Sequence, residues 1–321
     1  MNIRTLTEKS REIADLVERR RVDILCLQET RWTGKKSKDL AGGHKLIYNG
    51  QTGKNGVAIV LAKDIRETLV QVKRRSERVM SIKMSEGKTT VTVISVYAPQ
   101  VGCEEAEKDQ FWSELEEELN SIPGNEKAII GGDLNRHVGR DRSGVERWHG
   151  GWSVGERNAE GQRILDFTTA QDMALLNTFF EKDENQLSTY RSRGRASQVD
   201  ILTCRRKDIR DAQDCGVING EDEAAQHRLV LVKMSIRQER KGGEKGARRI
   251  KWWKLKEPEA RRQFKERILE EWVEADSAQE WWTANSRVMR KVGEETLGKH
   301  QEKGHLRTRK SGGGTRKCRG L

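Results

Sequence analysis

The apolar run Ala128-Ile129-Ile130 passes through two glycines straight into Asp133-Leu134-Asn135. A short run of this kind, entered through Pro123-Gly124, reads as a buried strand, and the position just past it holds side chains rigidly. An acid and an amide therefore stand at a strand end. The same pattern recurs along the chain. Glu29 closes Asp23-Ile24-Leu25-Cys26-Leu27-Gln28, Tyr97 closes Val91-Thr92-Val93-Ile94-Ser95-Val96, and Asp200 and His227 come later.

The remaining elements follow from periodicity. Ile13, Leu16 and Val17 mark an amphipathic helix running to about Arg21, with Thr7 expected as its N-cap. Gly56–Leu61, Val79–Met84 and residues 89–97 read as successive strands of an antiparallel meander. Phe111, Trp112, Leu115, Leu119 and Ile122 lie on one face of an acidic helix from about Glu104 to Ser121, and a further helix spans about 158–171. Strands are also expected at 174–178, 198–204 and 228–236. Hairpins separated by helices suggest two mixed sheets packed face to face with helices outside, an α/β sandwich.

Charge divides the chain. The net charge is +12, yet residues 237–321 hold 24 Lys and Arg against 13 Asp and Glu. The first 236 residues are nearly neutral. The glycine-rich, charged stretch Arg240–Gly246 marks the expected boundary between a 1–236 domain and a basic 237–321 extension, partly helical and disordered from about Lys299. That extension points to a polyanion partner or a solvated tail. Cys26, Cys103, Cys204, Cys215 and Cys318 have no CxxC spacing and read as reduced thiols. With no apolar leader and no run near the roughly 18 apolar residues of a membrane span, a soluble intracellular protein is expected, nuclear by its Lys/Arg runs.

The strand-end residues suit phosphodiester hydrolysis, which needs a hard cation, a group that positions or deprotonates water, and stabilisation of the leaving oxygen. Oxygen ligands without a Cys or His cage favour Mg²⁺ or Mn²⁺ over Zn²⁺. Glu29 suits the metal, with Asn2 beside it. Asp133 is the candidate for orienting or deprotonating water, Asn135 and Tyr97 for donating to phosphate, and His227 for stabilising charge or moving a proton with Asp200 fixing its tautomer. No zinc site and no small-molecule cofactor are expected.

Asn2-Ile3-Arg4, Leu27-Gln28-Glu29-Thr30, Val96-Tyr97-Ala98-Pro99, Gly132-Asp133-Leu134-Asn135, Val199-Asp200 and Gln226-His227-Arg228 stand in this order, and the chain thereby resembles the endonuclease/exonuclease/phosphatase superfamily over residues 2 to about 236. Within it, residues 23–32 and Gly155–Arg163 look like the apurinic-type endonuclease domain of non-LTR retrotransposons, and equally like craniofacial development protein 2-like proteins. The resemblance implies a four-layer α/β sandwich and a metal-dependent DNA endonuclease that leaves a 3′-hydroxyl. It also implies Glu29 and Asn2 at the metal, and Asn135, Tyr97, Arg4 and Asn158 near substrate phosphate. The segment Arg248–Leu255 resembles the linker to a reverse transcriptase, which implies a former fusion to that enzyme.

Two departures stand out. The common Ser-Asp-His becomes Ala225-Gln226-His227, and Arg4 occupies a position where many members carry an acid or amide. Only Met1 precedes Asn2, so the first strand is expected to be truncated and Asn2 loose. The alternatives are a phosphoesterase of the same fold acting on a small phosphoester, and a weakened retroelement remnant that only binds nucleic acid.

Overall fold

A computed structural model of the chain describes residues 1–87, 89–192, 194–218, 226–235, 249–275 and 277–300. The chain divides into two units, Met1–Gln238 and Glu239–Leu321. The first begins with α1 (Ser10–Arg20), β1 (Ile24–Gln28), β2 (Gly34–Asp39), β3 (Lys45–Gly50), β4 (Val57–Leu61), β5 (Leu69–Arg74), β6 (Val79–Glu86) and β7 (Thr89–Tyr97). It continues with α2 (Glu105–Asn120), β8 (Lys127–Asp133), α3 (Ala159–Ala170), β9 (Met173–Leu175), α4 (Glu184–Leu187), β10 (Tyr190–Ser192), β11 (Arg195–Ser197), β12 (Asp200–Arg205), β13 (Ala212–Val217) and β14 (Val230–Met234).

Strand alternation builds the layers. In β4, Val57, Ile59 and Leu61 point between the sheets to meet Met80, Ile82, Val91 and Val93. Ala58 and Val60 point the other way, onto Ile13, Leu16 and Val17 of α1. On the far sheet, Ile94, Val96, Ala128 and Ile130 pack against Phe111, Leu115 and Leu119 of α2 and Ile164 and Leu165 of α3. Each of these side chains larger than alanine contributes about 1.5–3 kcal/mol on burial. The order helix, sheet, sheet, helix is the four-layer α/β sandwich the sequence implied.

One sheet is β1-β4-β3-β2, fully antiparallel; the other is β5-β6-β7-β8-β12-β9, mixed because β7 and β8 run parallel. A parallel pair needs a long crossover, here carrying α2. Its register depends on Gly132, where a Cβ would lie 2.0 Å from the Val96 carbonyl oxygen. That register sets Tyr97 opposite Asp133, and Asp133 opposite Asp200 on the next strand. Three candidate site residues thus share one row across three neighbouring strands.

Several expectations are corrected. The meander is split: β4 belongs to the first sheet, paired with β1 and β3, while β6 and β7 form a hairpin in the second. Thr7 does not cap α1, which starts after Lys9 with no side-chain cap, because the chain first turns inward through Leu6 N–H to the Thr30 carbonyl. The 174–178 segment is the short β9 followed by a 3₁₀ turn, Leu176–Thr178. Asn2 is not loose; it is 2% exposed and bridges in parallel to Gln28.

In the second unit, α5 (Pro258–Glu271) and α6 (Ala278–Leu297) are joined by ion pairs from Lys291 to Glu271 and from Arg267 to Glu295, with Trp272 edge-on to Trp281. The expected break at Arg240–Gly246, Ala225, Cys318 and the part of the expected tail beyond residue 300 lie outside the described residues; at its start, where disorder was expected from about Lys299, Lys299 and His300 instead pair with Ile250 and Arg249. No helix among the described residues is long and apolar enough to cross a membrane.

Candidate active site

Asp133 ends β8 fully buried. Its Oδ1 accepts the Asn135 backbone N–H at 2.9 Å, and its Oδ2 accepts Asn2 Nδ2 at 3.1 Å. The same amide nitrogen donates to Glu29 Oε1 at 2.9 Å. One neutral side chain therefore joins two buried carboxylates. Glu29 Oε1 also accepts the Tyr97 hydroxyl at 2.6 Å, and Arg31 reaches Glu29 Oε2 at 3.1 Å. Burial alone would raise the Glu29 carboxyl, but bonds from Tyr97, Asn2 and Arg31 hold it below the usual value.

On the other side, His227 Nδ1 lies 3.0 Å from Asp200 Oδ2, and its Nε2 lies 3.8 Å from Asp133 Oδ2. With Asp200 ionised, Nδ1 carries the proton and donates it, leaving Nε2 facing Asp133. Burial works against charge on His227, yet Asp200 and then Asp133 raise its pKa from the ordinary value. Burial and the charge of Asp200 push the Asp133 carboxyl up to about 6, against the pull of His227, Asn2 and the Asn135 N–H. Asp133 stays ionised at neutral pH, near the range of an efficient general base.

The strand ends are bent to aim these groups. Glu29 and Asn135 adopt left-handed backbone, φ 52° and 53°, as does Arg4 at 59°. Such conformations are uncommon outside glycine and cost on the order of 1–3 kcal/mol each, which clusters them where function fixes the chain.

The other candidates take more specific places. The Tyr97 hydroxyl has Glu29 as its acceptor, and Asn135 Nδ2 donates to the Ala98 carbonyl at 2.9 Å, so each is tied to protein as well as facing the cluster. Asn158 is an N-cap, its Oδ1 accepting Gly161 N–H at 2.7 Å, and among the described residues no hydrogen bond ties it to the cluster. Arg4 hydrogen-bonds Gln226 Oε1. The two departures from the family pattern thus meet each other: the cation at position 4 is matched by the amide at 226.

Three residues carry the site without an obvious sequence signal. The Tyr190 ring packs 4.7 Å from the His227 ring, and its hydroxyl donates to Gln226 Oε1 at 3.1 Å. Thr189 Oγ1 accepts the N–H groups of Val199 and Asp200, and Asn177 Nδ2 donates to the Asp200 carbonyl.

Ligand atoms of Asp133, Asp200 and His227 lie within 4.8 Å of one another. Asp200 Oδ1 is buried with no hydrogen-bond partner among the described residues, an acceptor left for something beyond the protein. Acidic oxygens with one imidazole suit a divalent cation. The sandwich and this cluster define a hydrolase fold with a candidate acidic metal centre.

The chain belongs to the Endonuclease/Exonuclease/phosphatase family, whose sequence model matches residues 1–179. It is 29% identical over 225 residues to craniofacial development protein 2 of Bos taurus and 28% to that of Tragulus javanicus. Those matches cover 69% of this chain but only 38% and 39% of the relatives, so it spans under half their length. Among solved structures, it resembles an AP endonuclease from Archaeoglobus fulgidus (TM-score 0.56, 16% identity) and the 3′-5′ exonuclease NExo from Neisseria meningitidis (0.57, 18%), each over 73% of this chain and 97% of the other. The endonuclease domain of TRAS1, a telomere-specific non-LTR retrotransposon, matches with TM-score 0.52 and 15% identity over 74% and 97%. At these identities the likeness concerns the fold.

Proposed function

We propose that the protein is a divalent-metal-dependent DNA endonuclease of the retroelement type, nicking a target strand by hydrolysis of a phosphodiester. The observation that carries this reading is the convergence of Glu29, Asn2, Asp133, Asp200 and His227, drawn from five separate segments, into one buried hydrogen-bonded cluster. The family supplies the hydrolase class; the AP endonuclease and TRAS1 likenesses favour DNA over a small phosphoester.

Glu29 with Asn2, and Asp133 with Asp200, would hold Mg²⁺ or Mn²⁺, which when bound neutralises charge on the phosphoryl oxygens. Asp133 orients the attacking water and takes its proton as the new P–O bond forms. Opposite, the P–O3′ bond breaks, and His227, entering the step as the imidazolium with its Nδ1–H held by Asp200, gives its Nε2 proton to the departing oxygen and is left neutral. The products are a 3′-hydroxyl and a 5′-phosphate. Asn135 and Tyr97 line the phosphate side, and Arg4 adds positive charge at the rim.

The test is nicking of supercoiled plasmid by the purified chain with Mg²⁺ or Mn²⁺, a chelator control, and primer extension from the nick. Chelator-sensitive nicks that a polymerase extends support the reading. Turnover of a small phosphoester without nicking would replace the substrate assignment, and salt-dependent DNA binding without cleavage would replace the enzymatic one.

A further inference from the structure

The turn at residues 75–78 joins β5 to β6 and closes on itself, with Ser76 N–H on the Val79 carbonyl at 3.1 Å and Arg78 N–H on Ser76 Oγ at 3.3 Å. Glu77 and Arg78 stand side by side on it. They reach in different directions.

Glu77 holds the segment 51–55. Its carboxylate accepts the N–H groups of Gln51 at 3.2 Å and Thr52 at 3.0 Å, the Thr52 hydroxyl, and Asn55 Nδ2 at 2.6 Å. Burial raises this carboxyl, yet the bonds from Asn55 and Thr52 hold it below its usual value.

That segment in turn grips the chain just past Glu29: the Asn55 carbonyl accepts Arg31 N–H at 2.8 Å, and the Gly56 carbonyl accepts Thr30 N–H at 3.1 Å. The approach is close, since a Cβ on Gly56 would lie 2.4 Å from Thr30 Oγ1. Glu29 and Arg31 both adopt left-handed backbone, a conformation that persists only where its surroundings fix it. Glu77 supplies that support at one remove.

Arg78 holds Tyr97. Its carbonyl accepts Tyr97 N–H at 2.9 Å, its Nη1 donates to the Tyr97 carbonyl at 3.2 Å, and its guanidinium lies 5.2 Å from the Tyr97 ring centroid. Its Nη2 is anchored on Glu107 of α2 at 2.6 Å. Glu29, just past β1 of the first sheet, and Tyr97, at the end of β7 in the second, share the 2.6 Å bond from the phenol hydroxyl to Oε1. Both braces from the turn therefore converge on one bond between the sheets.

We infer that Glu77 and Arg78 are positioning residues, which set the aim of the Glu29 carboxylate and its Tyr97 donor and thereby the site's affinity for a divalent cation, a role that rests on the hydrolytic reading in which Glu29 is a ligand of the ion. A carboxylate that merely capped its own turn would act no further than its loop. Here the bonds run on through Asn55 and Gly56 to the two residues after Glu29. Groups that orient a metal ligand from behind typically tune affinity by about 10- to 100-fold.

The experiment compares Glu77→Ala and Arg78→Ala with the parent in the full chain, reading Mn²⁺ affinity by paramagnetic resonance of the free ion and the braces by hydrogen exchange without metal. Glu77→Ala is expected to speed exchange of the Thr30 and Arg31 amides about tenfold or more and leave the Tyr97 amide as it was. Arg78→Ala is expected to do the reverse. Each should weaken Mn²⁺ about tenfold. Glu77→Gln, which keeps the side-chain length and one acceptor, guards against unfolding and should shift the same amides by less. Because Arg78 acts through Tyr97, Arg78→Ala should weaken Mn²⁺ by less than about twofold in a Tyr97→Phe background. Parent-like exchange at all three amides, or Mn²⁺ affinities within about twofold of the parent's, would overturn the inference and leave Glu29 a ligand. Full additivity with Tyr97→Phe, the mark of a general loss of structure, would also overturn it. A parent that binds no Mn²⁺ would overturn the hydrolytic reading and this inference together.

Discussion

Asn2→Ala removes the one amide that holds two buried carboxylates together. Its Nδ2 donates to Glu29 at 2.9 Å and to Asp133 at 3.1 Å, and its Oδ1 accepts the Arg4 N–H at 2.9 Å. Hydrogen bonds to charged groups contribute about 1.5–3 kcal/mol each, and the acceptors cannot turn to water, so the loss is about 3–5 kcal/mol with both acids ionised. The pH dependence follows from linkage. Folded Asp133 keeps its proton up to about pH 6, whereas an unfolded aspartate releases it near 3.9. The folded state binds more protons across that window, and stability falls as pH rises through it. Asn2 is one of the groups that lower this pKa, so its removal extends the fall to higher pH. Urea unfolding in chelator should therefore show a loss near 3–5 kcal/mol at pH 8 and about half of it at pH 5, where only Glu29 stays charged. A loss below about 1 kcal/mol at both values would refute the reasoning.

Asp200→Asn removes the charge that raises both Asp133 and His227, so both limbs of the pH–rate profile should move to lower pH while the maximum drops about 10²-fold or more; an unshifted profile contradicts this. Gly132→Ala would set a Cβ 2.0 Å from the Val96 carbonyl oxygen, so thermal unfolding should show a loss of about 3 kcal/mol or more, with Asp133 displaced. Lys127 bonds Asp208 at 3.0 Å and Asp211 at 2.7 Å in a buried cluster, and Lys127→Met should cost about 3–5 kcal/mol in denaturant by stranding two acids.

How much of this was legible depends on what a pattern can carry. Strand ends are local, so Glu29, Tyr97, Asp133 and Asp200 could be placed from runs of apolar residues alone. Partner strands are not local, which is why β4 was grouped with β6 and β7 although it pairs with β1 and β3. β2 escaped because Gly34-Lys-Lys-Ser-Lys-Asp39 is an edge strand, exposed nearly throughout, with no apolar period. The hold on Asn2 was hidden for a related reason. Only Met1 precedes it, but its burial comes from Glu29 and Asp133, 27 and 131 residues away. Tyr190 gave no signal because its role is a ring contact with His227. The meeting of Arg4 with Gln226 likewise needed the fold.

The account turns on whether Asp133 and His227 act on one phosphodiester. Single-turnover cleavage of a 5′-labelled DNA duplex in Mg²⁺ should proceed in the parent chain and stop with chelator. It should slow by about 10²-fold or more in both Asp133→Asn and His227→Ala with the folds intact. Equal cleavage by the parent and both variants would contradict the account.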